Sequence, residues 1–270
     1  MIFFPRNLAE LSLLFREIAD EKGIFFLGAG SNLLVRDNGI SEPIISTKFL
    51  RRLEQFDYGS FYAESGILLE ELIQKLASAG FCKGISSLFG IPGTLGGALA
   101  MNAGAYGETI WNFVESVDKM NRRGEIRSFG RDEFEIGYRS VKIHPEWEDF
   151  QFFCAAQLRL FPERQEDSEV EMTRISDMRR SKIPIQPSAG SIFKNPTGES
   201  AANLISQVCR PFLRVNGAFL SHHLNCIINP NLTATATDVE ELIDTINQLI
   251  LEKFGQHLEL EVKIVGELQE

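Results

Sequence analysis

Residues 90–107, GIPGTLGGALAMNAGAYG, constrain this chain more than any other stretch: six glycines and one proline stand in eighteen positions without a charged side chain. Glycine gives up more backbone freedom on folding than any other residue, so the run is too glycine-rich for an ordinary helix or strand. It suits a bare backbone that something approaches closely. Gly93, Gly96, Gly97 and Gly104 remove the Cβ barrier, which lets main-chain N–H groups converge on a phosphate or lie against a ring. Pro92 stiffens the entry. Asn102 and Tyr106 add side chains able to hydrogen-bond a polar ligand. A buried structural turn is the plainer alternative, and the length of the run with its two polar side chains favours a ligand cradle.

A second glycine junction lies upstream, where the short apolar strand expected over residues 24–27 runs into Gly28-Ala29-Gly30-Ser31-Asn32. Backbone N–H groups there can hold a pyrophosphate, with Ser31 and Asn32 as side-chain donors. The dinucleotide fingerprint G-x-G-x-x-G is incomplete, because Leu33 occupies the place of its third glycine.

The 270 residues favour two domains over one. The net charge of −10, from 27 basic and 37 acidic residues, lacks the clustered positive charge of a nucleic-acid footprint. An anionic ligand therefore requires local basic groups. No apolar run reaches the roughly 18 to 20 residues that span a bilayer, and the apolar start is too short for a signal peptide, so a cytoplasmic location without membrane insertion is expected. The four cysteines are far apart and form no C-x-x-C pair. They read as reduced core residues, and no metal site is expected.

Asn7 with Glu10 reads as a capping-box variant before Leu8, Leu11, Leu14, Phe15 and Ile18 recur at helical spacing. A strand over 61–64, a helix over 68–79 closed by Gly80, a hairpin around 121–124 and a strand over 151–160 complete an α+β unit. Residues 162–171 are acidic and sparsely apolar, which suits a linker or exposed edge ahead of a helix over 172–180. The expected division is thus 1–164 and 165–270. Thr237 with Glu240 reads as the capping box of the last helix, and residues 258–264 as a half-buried strand with Leu258, Leu260, Val262 and Ile264 on its apolar face.

Several stretches taken together resemble the UDP-N-acetylenolpyruvoylglucosamine reductase family. They are LGAGSNLLVRDNG at 27–39, residues 90–107, GYR at 137–139, PSAGSIFKNP at 187–196 and LELEVKIVG at 258–266, in the family's order and across nearly the whole chain. The resemblance implies an α+β protein: a two-part FAD-binding domain of the vanillyl-alcohol-oxidase type, then an α+β substrate-binding domain whose last strand returns to the active site. It implies FAD as cofactor, NADPH as reductant and a UDP-sugar as substrate, reduced to UDP-N-acetylmuramate for peptidoglycan. FAD is expected along Gly28, Gly30, Ser31 and Asn32 of the first loop. Along the second loop the expected contacts are Gly93, Thr94, Gly96, Gly97, Asn102 and Tyr106.

Carried over position by position, Ser191 resembles the acid that protonates the carbon next to the substrate carboxylate. Arg139 resembles the residue beside that carboxylate, and Glu261 its catalytic partner. Lys182 and Asn195 resemble contacts to the diphosphate. His222 and His223 receive no catalytic role. The family's threonine-rich opening segment has no counterpart, so a shortened amino terminus is expected. Ser86 stands where glutamate is common, and Ile183 where glutamine is frequent. No insertion carrying a substrate-capping tyrosine lies between Arg139 and Ser191, which matches a shorter subtype. The rivals are a flavin-free nucleotide-sugar binder and a related FAD oxidase. A monomer is the expected state.

Overall fold

Asn7 opens the first helix by accepting the Glu10 N–H at 2.9 Å, while the Glu10 carboxylate turns back to the N–H of Arg6, one residue before the partner a capping box uses. The computed structural model describes residues 1–18, 23–181 and 184–268. The chain forms two compact units. The first is Met1–Ala29 with Glu42–Met178, and the second is Gly30–Ser41 with Arg179–Glu270. The expected boundary at 164/165 falls at the start of the helix Gln165–Arg180, whereas the units divide near its end, between Met178 and Arg179, and the segment Gly30–Ser41 groups with the carboxy-terminal part.

In the first unit, strands β1 (Ile2–Phe3), β2 (Phe25–Leu27) and β4 (Ile44–Ser46) pair in parallel in the order β1-β4-β2; β3 (Leu33–Val35) belongs to the second unit. Helix α1 (Leu8–Ile18) buries Leu11 and Phe15 in a cluster with Ile45, Met120, Phe152 and Cys154. Helical spacing put those two side chains on one face, and burial against the sheet stabilises the helix more than its propensity does.

The larger sheet of this unit is antiparallel. It consists of β5 (Leu53–Asp57), β6 (Ser60–Glu64), β9 (Val114–Asn121), β10 (Ile126–Gly130) and β13 (Phe150–Arg159) in the order β10-β9-β13-β6-β5. Between β6 and β9 lie α2 (Leu69–Ser78), α3 (Leu95–Met101) and the small hairpin β7 (Gly104–Ala105) with β8 (Glu108–Thr109). A second small hairpin, β11 (Phe134–Gly137) with β12 (Ser140–Ile143), precedes β13. Leu72, Ile73 and Leu76 of α2 and Leu95 and Leu99 of α3 are fully buried with Trp111, Val117 and Leu158.

Helix α4 (Gln165–Arg180) closes the unit and corrects one expectation. Residues 165–171 are the first turns of a helix rather than a linker, because their polar side chains are bonded along it: Arg164 pairs with Asp167 and Arg174 with Glu171, and the Gln165 amide donates to Glu169. Glu166 and Asp167 also sit in the first turn, where negative charge suits the helix dipole. Ile175 provides a fully buried anchor.

Lys119 lies on the core face of β9 with its ammonium 4.3 Å from the centre of the Phe153 ring, and burial pushes its pKa down to about 8. The folded chain thus binds this proton more weakly than the unfolded chain does, so stability rises with pH between about 8 and 10.5. Lys119→Met is expected to stabilise the protein at pH 7 by on the order of 1 kcal/mol, after the lost cation–π contact is set against the removed burial penalty. Urea midpoints read at several pH values should show the gain shrinking toward pH 10.5; a gain independent of pH would refute the assignment.

The second unit holds α5 (Ala201–Ser206), the antiparallel sheet β14 (Arg214–Val215), β15 (Ala218–Leu220) and β16 (Ile227–Ile228), then α6 (Ala236–Phe254) and β17 (Lys263–Val265), which pairs in parallel with β3. Leu242, Ile246 and Ile250 of α6 are fully buried in its core with Phe193, Ile205 and Leu220. The α6 cap is Thr235 with Asp238, two residues before the expected pair. Thr237 and Glu240 do other work: Thr237 donates its hydroxyl to Asp37, and Glu240 pairs with Arg36 at 3.0 Å. Both therefore tie Gly30–Ser41 to α6.

The Ala236 N–H, then the Thr237 hydroxyl and N–H, hold the Asp37 carboxyl below the ordinary aspartate range. A carboxyl with a lowered pKa stabilises the fold above the unfolded value near ~4 and loses that contribution as pH falls through its own folded value. Asp37→Ala should consequently lower the urea midpoint at pH 7, with the difference from the parent narrowing below pH ~4.

Residues 258–264 are less regular than a single strand. Leu258 and Val262 are buried as the alternation requires, but Leu260 only bridges Phe193 and the ladder with β3 begins at Lys263. The cause is the Ile192 carbonyl, which accepts from both Glu261 N–H at 2.8 Å and Val262 N–H at 3.2 Å. Among the described residues no helix is long and apolar enough to cross a membrane. All four cysteines are buried and unpaired.

Candidate functional site

In the first unit four chain segments meet at strand ends. Thr47, just past β4, donates its N–H to the Leu27 carbonyl at the end of β2, and Gly66, just past β6, donates to the Leu50 carbonyl. Gly96 N–H donates to the Ser65 carbonyl at 2.8 Å, and the Leu69 N–H donates to the Gly93 carbonyl at 3.0 Å. Gly28, Ser65, Gly66 and residues 93–97 thus form one backbone cluster. Ligands in open sheets are commonly taken up at such carboxyl ends of strands.

The glycines are there for closeness. A Cβ on Gly28 would stand 2.7 Å from Thr94 Oγ1, and one on Gly96 would stand 2.9 Å from Ser65 Cβ. Thr94 caps α3 by accepting the Gly97 N–H at 3.3 Å. One expectation is corrected here: residues 95–101 form a helix despite Gly96 and Gly97, because only bare backbone fits against residue 65. Gly93 has φ 131°, a conformation that glycine alone adopts readily.

Arg139, Asn102 and Tyr106 share an unusual backbone. Their φ values are 51°, 44° and 53°, the left-handed region in which side chains other than glycine are uncommon. Such conformations cost on the order of 1–3 kcal/mol each and persist where surrounding structure holds them. Asn102 Nδ2 donates to the Gly137 carbonyl at 2.9 Å, and the Arg139 guanidinium donates to the carbonyls of Asn102 and Gly104, both at 3.4 Å. The turn between β11 and β12 is thereby held against the glycine-rich stretch. Tyr106 is 41% exposed on the β7–β8 hairpin.

Among the described residues of this unit, two buried polar atoms lack a protein partner, Ser65 Oγ and Asn102 Oδ1. A buried polar atom left unpaired costs about 1–3 kcal/mol. Together with the bare backbone at Gly28, Gly66 and Gly96, they fit a polar, partly flat group such as FAD. Ser65 and Gly66 escaped the sequence reading. Their signal was the same as at Gly28, a buried strand running straight into small residues, but without a second glycine to mark it.

In the second unit Ser191 follows Gly190, which has φ 79°. The loop is fastened on both sides. Ile192 N–H donates to the Asn225 carbonyl, Phe193 N–H to Asn225 Oδ1, and Asn225 Nδ2 returns to the Phe193 carbonyl. The paired bonds from Glu261 and Val262 to the Ile192 carbonyl bring the last segment alongside. Asn32 Nδ2 donates to the Glu261 carbonyl at 2.9 Å, and Lys263 N–H to the Asn32 carbonyl. Gly30, Ser31 and Asn32 lie in this unit, and Gly28 lies in the first.

Ser191 is exposed and Glu261 half-buried. The Asn195 amide oxygen accepts the Ala201 N–H at 3.0 Å, which sets the start of α5. Lys182 lies outside the described residues. The His222 and His223 rings stand 3.7 Å apart, and burial, then the neighbouring His222, lowers the pKa of His223. A cavity of about 370 Å³ in this unit is lined by Leu34, Ile192, Ile228, Val239 and Ile243, with Asp37 the only charged lining residue among the described residues. Such a wall does not suit a diphosphate, which requires donors and positive charge.

Residues 1–130 match the model of an FAD binding domain, and residues 182–265 match that of the UDP-N-acetylenolpyruvoylglucosamine reductase C-terminal domain. A UDP-N-acetylenolpyruvoylglucosamine reductase of Methylococcus capsulatus is 40% identical over 273 residues, 98% of this chain and 86% of that one. One from Alkalilimnicola ehrlichii is 36% identical over 271 residues, 99% and 89% of the two chains. The crystal structure of the reductase from Thermus caldophilus superposes with a TM-score of 0.81 at 31% identity, covering 97% of this chain and 91% of that one.

Proposed function

The chain belongs to the UDP-N-acetylenolpyruvoylglucosamine reductase family, and from that premise we propose that Arg139, Ser191 and Glu261 carry its chemistry. It is an FAD-dependent oxidoreductase that uses NADPH to reduce UDP-N-acetyl-3-O-(1-carboxyvinyl)-glucosamine to UDP-N-acetylmuramate in peptidoglycan precursor synthesis. When bound, FAD supplies the redox chemistry, taking electrons from NADPH and delivering hydride to the enolpyruvyl double bond. Gly28, Ser65, Gly66, Gly93, Thr94, Gly96, Gly97 and Asn102 would hold it; Gly30, Ser31, Asn32 and Tyr106 are the further flavin-binding residues that the family resemblance implies.

The protein's own groups manage charge and proton. Ser191 gives its hydroxyl proton to the carbon next to the substrate carboxylate. A serine hydroxyl is a weak acid in water, so its neighbours must stabilise the developing charge. The Arg139 guanidinium pairs with the carboxylate, where negative charge grows as hydride arrives. Glu261 orients the acid from the neighbouring segment. Asn195 offers an amide donor to the diphosphate, and Lys182 adds the positive charge that a protein of net charge −10 must supply locally.

The observation that carries this reading is the double acceptance at the Ile192 carbonyl, which ties the residue after Ser191 to Glu261 itself. The test is the visible spectrum of the purified chain with added FAD, followed by NADPH oxidation with and without the enolpyruvyl substrate. A yellow protein whose NADPH oxidation depends on that substrate is expected. A colourless protein that binds UDP-sugar and takes up no FAD would favour the flavin-free binder, and oxygen consumption with an alcohol donor and indifference to UDP-sugars would favour the oxidase. A cytoplasmic monomer belongs to the same proposal, supported by the dependence on NADPH and a UDP-sugar and checked by light scattering.

A further inference from the structure

We propose that Asn102 is a positioning residue for Arg139, its side chain holding the turn that presents the guanidinium. The inference rests on the role given to Arg139 above. Asn102 ends α3 in the left-handed conformation with φ 44°. Glycine serves that end best, since it meets no Cβ penalty there. An asparagine at such a place is accounted for by what its side chain does. Here Nδ2 reaches across to the Gly137 carbonyl at 2.9 Å, two residues before Arg139.

The same residue also holds Arg139 from the other side, because its main-chain carbonyl accepts from Arg139 Nη1 while the Gly104 carbonyl accepts from Nη2. Arg139 has φ 51°, a conformation that a long side chain does not choose unaided. The turn therefore depends on outside support, and the Asn102 amide is a support that reaches it. Asn102 is 6% exposed, and its Oδ1 is buried without a partner. One amide thus faces the turn with its nitrogen and the interior of the cofactor-binding unit with its oxygen.

The experiment is a double-mutant cycle on the full chain with FAD bound. Asn102→Gly keeps the helix end and its φ and removes only the side chain. Asn102→Asp keeps the size and replaces the donor facing Gly137 with an oxygen, and it serves if the glycine variant does not fold. Each is combined with Arg139→Ala. At saturating FAD, Asn102→Gly is expected to slow reoxidation of the reduced flavin by the enolpyruvyl substrate about 10-fold or more and to raise that substrate's KM. In the Arg139→Ala background it should add less than about 2-fold.

A readout independent of turnover is amide hydrogen exchange of residues 137–141 in the FAD-free protein, which should quicken in both Asn102 variants. Independent, multiplying effects of Asn102→Gly and Arg139→Ala would overturn the inference. So would unchanged exchange of the turn, or a loss confined to FAD affinity. If Arg139→Ala alone reoxidises like the parent, the role of Arg139 falls and the inference with it. That failure shows in the single variant, whereas failure of the positioning role shows only in the cycle.

Discussion

Ser191→Ala is expected to leave the reduction of bound FAD by NADPH within about 2-fold of the parent and to slow its reoxidation by the enolpyruvyl substrate by about 10²–10⁴-fold, the range typical for loss of a positioned acid. The division between half-reactions follows from what the hydroxyl does. In the proposed role it moves a proton to the substrate carbon, and no proton reaches that carbon while NADPH is oxidised. The loop should survive the change, since its fastening uses the main chain of Ile192 and Phe193 and the Asn225 side chain rather than Ser191 Oγ. Stopped-flow absorbance of the flavin separates the two steps. Equal slowing of both, or none of the second, would remove Ser191 from its role.

The second large effect concerns Gly66. A Cβ there would stand 1.7 Å from the Thr47 carbonyl oxygen and 2.7 Å from that of Leu50, and both are backbone atoms. Gly66 cannot retreat, because its own N–H is bonded to the Leu50 carbonyl at 2.8 Å. Gly66→Ala is therefore expected to destabilise the chain by about 4 kcal/mol or more, beyond the usual range for a point substitution. It should also displace Ser65 and abolish FAD uptake. Gly23→Ala, whose added carbon meets among the described residues only the flexible Glu42 side chain at 3.6 Å, is the control and should change the urea midpoint little. A Gly66→Ala protein as stable as that control would contradict the packing of the strand ends.

Much of this was legible along the chain. The helical spacing of Leu8, Leu11 and Phe15, the strand ending at Glu64, the hairpin around residue 124 and the helix closed by Gly80 all follow from local period and turn chemistry. The reading erred where a local pattern had a distant competitor. Thr237 and Glu240 have the spacing of a cap, but Asp37 and Arg36 claim them from two hundred residues away. Residues 162–171 have the composition of a linker, but their polar side chains find partners three and four positions on when wound into α4. Gly96 argues against a helix until Ser65 occupies the space that a side chain would need.

The sequence alone identified the family, through the resemblance carried by five motifs in their order, and with the family came FAD; the glycine junctions alone pointed to a ligand cradle, because bare backbone next to strands has few uses and each junction is written in consecutive residues. Only the tertiary structure decided that Asn102 and Arg139 are held in left-handed conformations against each other, that Ser65 and Gly66 join the backbone cluster of Gly28 and residues 93–97, and that the Ile192 carbonyl ties the residue after Ser191 to Glu261. Each of these depends on one hydrogen bond or one excluded Cβ between positions far apart in the chain. Such pairings are set by how the strands stack, which no local period records.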